Sequence, residues 1–169
     1  GIQVFLSREY HVDRLFRERL HDRALLPMGG TVLLTEFSSF HSREALLATV
    51  EELRNCGFTA LIAHVERYAA TERALAAELR AAGALIQVNA DAVLGLDGRY
   101  AKRLAWELLQ AGAVDVIASD AHDTHARPPR LRACMERLSR KLGRELAEDL
   151  MNTNPEKILT GNVQGLQSE

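Results

Sequence analysis

Four apolar runs organise this chain: Thr31 to Phe37 (TVLLTEF), Phe58 to Val65 (FTALIAHV), Leu85 to Asn89 (LIQVN) and Val114 to Ser119 (VDVIAS). They recur at intervals of about 26 to 28 residues, and each interval carries a helical pattern. Strands apolar along their whole length, alternating with amphipathic helices, predict an α/β fold. Its parallel sheet is either covered on both faces or closed as a barrel.

The intervening segments carry helix signals. Ser42 is placed to cap a helix from about Arg43 to Asn55, with Gly57 where a left-handed terminus is preferred. Further helices are expected over Val12 to Leu20, Thr71 to Ala82, Gly98 to Gln110, Arg130 to Leu142 and Arg144 to Met151. A last short one is led by Asn154-Pro155, since proline is tolerated in a first turn. A short strand is expected at Ile2 to Leu6. No linker or low-complexity segment divides the 169 residues, which suit a single domain.

The four runs are informative because of what closes them. Glu36 ends the first, His64 the second and Asn89 the third, and Asp120 with His122 follows the fourth. The C-terminal ends of parallel strands converge on one rim, where active sites form. Carboxylates and imidazoles gathered there form a ligand set for Zn, Mn or Fe. Each residue alone has a plainer reading: His64 as a hydrogen-bonded structural side chain, Glu36 or Asp120 as a helix cap. Their shared placement favours ligation. Arg67 and Arg127 lie on loops of the same rim, suited to bidentate recognition of a phosphate or to a salt bridge with a neighbouring acid.

Composition removes other classes. The formal net charge is −2 and the arginines are spread along the helices, so a nucleic-acid binder is not indicated. No apolar run approaches the ~20 residues that span a bilayer, and no signal peptide is visible. Cys56 and Cys134 have no pairing motif and read as reduced thiols. The expected compartment is the cytoplasm.

The segments Leu34-Thr35-Glu36-Phe37, His64-Val65-Glu66-Arg67-Tyr68, Gln87-Val88-Asn89, Ser119-Asp120-Ala121-His122, Arg127-Pro128-Pro129 and Asn154-Pro155 resemble successive motifs of one family. That family is the bacterial PHP-type protein-tyrosine phosphatases of the CpsB/YwqE kind, associated with capsule and exopolysaccharide synthesis. The resemblance implies a PHP barrel, a distorted, seven-stranded relative of the TIM barrel. It also implies two or three divalent metals, usually manganese with iron or zinc as alternatives. Hydrolysis of phosphotyrosine on an autophosphorylating tyrosine kinase by metal-activated hydroxide is the implied reaction. Carried over, Glu36, His64, Asp120 and His122 are metal ligands, and Arg67 and Arg127 bind the phosphoryl group.

Two departures accompany the resemblance. The family opens with a strand bearing His-x-His, then an Asp and a further His, and none of these is present in residues 1–169. Residues 1–169 are therefore expected to be the later two-thirds of one PHP domain. His11, His21, His41 and His125 do not match the family positions and are expected to be solvated, the first two in or near a helix, with contact to substrate the alternative for His41 and His125. Gln3 stands where the family has a ligating Glu, which would weaken or rearrange the metal cluster. A barrel lacking its first strands exposes edges and apolar faces, so an oligomer is expected. Two other readings stay open: a binding module that has lost catalysis, and a PHP phosphoesterase acting on a small phosphate ester.

Overall fold

The structure, a computed structural model, describes residues 4–22, 24–38, 41–68 and 73–166. Five parallel strands follow one another in chain order: β1 (Glu9–His11), β2 (Val32–Glu36), β3 (Thr59–Ile62), β4 (Leu85–Asn89) and β5 (Val116–Ala118). Among the described residues β1 and β5 each pair on one side, so the sheet is open rather than a closed ring.

Side chains alternate between the two faces of the sheet. Leu33, Ala60, Ile62, Ile86, Val88 and Ile117 join a large apolar cluster on one face. Helices α1 (Arg14–His21), α2 (Arg43–Asn55), α3 (Arg73–Ala81) and α5 (Gly98–Gln110), among others, contribute further members. The opposite face presents Val32, Leu61, Leu85 and Val116, packed with Ile158 of α8 (Asn154–Leu159) and Leu166. This second cluster is smaller, and the C-terminal halves of the strands run beyond it.

Local signals account for the helix starts. Asp13 accepts a hydrogen bond from Phe16 N at 2.8 Å and opens α1, and Ser42 Oγ accepts from Ala45 N at 3.3 Å and opens α2. Gly57 takes φ 84° just past α2, a conformation that costs glycine nothing. Helix α4 (Ala90–Leu94), directly after β4, is an element the sequence pattern did not anticipate. Helices α6 (Leu131–Leu142) and α7 (Arg144–Glu148) fall where expected, and a π-turn (Asp149–Thr153) joins α7 to α8.

The first strand is a correction. Residues 4–8 form no regular structure, and Val4 and Leu6 are exposed; the strand lies at Glu9–His11 instead. Its backbone pairs with β2 in the register Glu9↔Leu34 and His11↔Glu36. Hydrophobicity alone points to the apolar run, whereas pairing with β2 decides where the strand lies. Gln3, and the start of the expected 71–82 helix, lie outside the described residues.

Candidate metal and phosphate site

The strand-end residues come together on the less covered face, around a cavity of about 500 Å³. Leu34, Leu61 and Val116 line its floor, and Glu9, His64, Gln87, Asp120 and His122 line its polar side.

Glu36 is the last residue of β2. His64 lies two residues beyond β3, in a turn that leads into a short 3-10 helix (Val65–Arg67). Its backbone is left-handed, φ 34° and ψ 52°, a region few side chains other than glycine adopt. Tyr68 braces this turn: its hydroxyl donates to Ala63 O at 2.8 Å and accepts from Phe37 N at 3.1 Å, tying the end of β3 to the end of β2. Burial pushes the Tyr68 phenol well above its ordinary pKa, so it stays a neutral donor.

His64 Nε2 lies 3.1 Å from Glu9 Oε1 and 3.3 Å from Glu36 Oε1. One ligand atom from each of the three residues falls within 4.8 Å of the others. Burial opposes protonation of this imidazole, and Arg67 opposes it too. The hydrogen bond with Glu9 and the charges of Glu9 and Glu36 outweigh them and raise its pKa. Two carboxylates facing the Nε2 of one imidazole make a donor set that fits a divalent cation.

The second group of residues surrounds Asp120, also left-handed at φ 48°. Its Oδ2 accepts from Arg67 Nη1 at 2.8 Å, from Asn89 Nδ2 at 3.0 Å and from Arg127 Nη2. Arg67 Nη2 also lies 3.5 Å from Asp97 Oδ2. The loop after β5 folds back to deliver Arg127. Asp123 Oδ1 accepts from the backbone N–H of His125, Ala126 and Arg127, and His122 N donates to Arg127 O at 3.0 Å. Those backbone hydrogen bonds hold the Asp123 carboxyl below its usual range.

Of the residues singled out in the sequence, Glu36 and His64 thus sit in the three-residue cluster. Asp120 is engaged by Arg67 and Arg127. His122 is exposed, its Nδ1 2.9 Å from Asp120 O and its Nε2 3.4 Å from Arg127 Nη1. His11 is exposed, as expected, and lies on β1 just before α1, with Nδ1 3.5 Å from Glu36 Oε2. Glu9 was missed. Its only sequence signal is the alternation Glu9-Tyr10-His11, too short and polar to read as a strand.

The model of the family described as capsular polysaccharide synthesis, CpsB/CapC, matches residues 1–160. The chain belongs to the CpsB/CapC family. Among its relatives is the tyrosine-protein phosphatase CpsB of Streptococcus pneumoniae, 32% identical over 133 residues, covering 75% of this chain and 55% of that protein. The tyrosine-protein phosphatase YwqE of Bacillus subtilis is 26% identical over 161 residues, covering 94% of this chain and 63% of YwqE. A solved chain from the crystal structures of YwqE and the pneumococcal CpsB, described as unique metal-dependent tyrosine phosphatases, superimposes with a TM-score of 0.82 at 26% identity. That superposition covers 92% of this chain and 64% of the solved one. This CpsB/CapC chain therefore spans a little over half to two-thirds of the length of these relatives, and shares their fold over that span.

Proposed function

We propose that this protein is a metal-dependent protein-tyrosine phosphatase, acting on phosphotyrosine of a tyrosine kinase that controls polysaccharide export. The observation that carries the reading is a juxtaposition. A carboxylate–imidazole cluster (Glu9, Glu36, His64) and an anion clamp (Arg67, Arg127) share one rim in a family whose members are named tyrosine phosphatases.

Glu9, Glu36 and His64 would hold a divalent cation, with Asp120 and His122 on the adjoining loop as further ligands. A cation bound there supplies positive charge to a phosphate ester and makes water more acidic. The chain's own residues do the rest. Arg67 and Arg127 converge on one carboxylate oxygen of Asp120, and the same donors suit a phosphoryl oxygen. Asp97 restrains Arg67 from the other side. The Cys134 thiol stands apart from this chemistry: burial pushes it up to about 12, far from a thiolate nucleophile.

The finer reading is manganese, two or three ions per complete site, a cytoplasmic location and a homo-oligomeric assembly, with residues 1–169 as one domain. Among the described residues no helix is long and apolar enough to cross a membrane.

The test is metal analysis with turnover of p-nitrophenyl phosphate and a phosphotyrosine peptide by the full-length protein. Two or more equivalents of Mn, Fe or Zn with hydrolysis of both substrates would support the reading. Protein without metal or turnover, even after Mn is added, would point to a binding module instead. A preference for a small sugar or histidinol phosphate would move the substrate class.

A further inference from the structure

The cluster around His64 and the clamp around Asp120 are joined by two side-chain amides of β4. Gln87 and Asn89 are two residues apart on one strand and so lie on the same face. Gln87 Oε1 accepts from His64 N at 2.5 Å, and its Nε2 donates to Asn89 Oδ1 at 2.9 Å. Asn89 Nδ2 then donates to Asp120 Oδ2 at 3.0 Å, and Asn89 N donates to Glu66 Oε1 at 3.0 Å. Gln87 is 4% exposed and Asn89 1%, so both amides are buried and bonded within the protein.

We propose that Gln87 and Asn89 are positioning residues: a buried amide relay that holds His64 and Asp120 in register as one site. Three features carry this. The relay ends on the two non-glycine residues with positive φ among those described, and both belong to the site. Such backbones persist where surrounding contacts over-determine them. β4 also lies between β3 and β5, so its side chains reach both turns. Finally, the residue type is constrained. An amide accepts and donates at once, whereas a carboxylate only accepts when ionised and an aliphatic group does neither. A neutral amide adds no charge to a rim that already gathers Glu9, Glu36 and Asp120.

The inference rests on the phosphatase reading above, and its test separates the two. Mn²⁺ binding to the demetallated full-length protein is measured by calorimetry, with kcat and KM on p-nitrophenyl phosphate and the thermal midpoint in parallel. Gln87→Met and Asn89→Leu, singly and together, replace the amides with apolar groups of similar size. Replacing both partners this way tends to spare stability. Each variant should bind Mn²⁺ about 10- to 100-fold more weakly, the usual loss when a ligand's outer support is removed. The double variant should keep that defect while its thermal midpoint recovers towards wild type. If Gln87→Met does not fold, Gln87→Asn keeps the amide but withdraws its reach, and the same loss is expected. Folded variants with wild-type Mn²⁺ affinity and KM would overturn the relay alone. A wild-type protein that neither binds Mn²⁺ nor hydrolyses the ester would overturn the phosphatase reading and the relay with it.

Discussion

The two faces of the sheet are built from alternate residues of the same strands, yet they do different work. On one face Ile62, Ile86 and Val88 are sealed under helices, in contact with Leu79 and Leu108 among others in a single dry cluster. On the other, Leu61, Leu85 and Val116 are buried in a smaller cluster with Ile158 and Leu166, and β2 and β4 then carry Glu36, Gln87 and Asn89 on that face, Gln87 lining an open cavity. The sealed face lets the polar one hold a left-handed His64 and Asp120 and several acids. The lesson is a division of labour by residue parity along each strand.

The largest effect should come from the polar face. His64→Ala removes the imidazole between Glu9 and Glu36, so phosphate-ester turnover should be abolished and bound metal reduced, measured by activity and metal content. Unchanged activity would break the comparison, by showing the cavity face to be inert. Leu108→Ala on the sealed face should do the reverse. It should cost about 2–5 kcal/mol in urea unfolding while leaving KM near wild type in the folded protein.

Arg127→Ala sharpens the division within the polar face itself. Loss of a charged hydrogen bond is worth about 1.5–3 kcal/mol, so KM for the ester should rise roughly 10- to 100-fold while metal content holds. Full activity would remove Arg127 from the clamp.

The smallest effect concerns Asp115, at the start of β5 and away from the cavity, where its carboxylate accepts from Ile86 N at 2.8 Å and Arg80 Nη2 at 3.0 Å. Burial raises its pKa above the ordinary 3.8 despite those partners. An acid raised on folding contributes stability below its unfolded pKa and loses it as pH rises through the folded one. Thermal midpoints of wild type and Asp115→Asn, compared from pH 4 upward, should therefore show wild type losing ground to the variant. A difference independent of pH would contradict this.

Much of this was legible in residue order. Ser42 and Gly57 bound α2 because capping is decided within a few residues. The apolar runs became strands β2 to β5, and the polar residues closing them marked the rim. Glu9 was not legible, since a three-residue strand with one buried side chain carries almost no pattern. The same limit applies to the strand expected at 2–6, of which the described residues Val4, Phe5 and Leu6 are apolar but exposed and form no strand.

What the sequence by itself determined was the alternation of strands and helices, their caps and the chemistry available at each strand end, because these depend on spacing of two to four residues. Only the tertiary structure decided which end groups meet. Glu9 and His64 are 55 residues apart, and their 3.1 Å approach exists because β1 pairs beside β2 in one register. A slip of one residue would turn Glu9 to the opposite face. The same holds for the amides of β4, which become a relay only because that strand lies between the turns bearing His64 and Asp120.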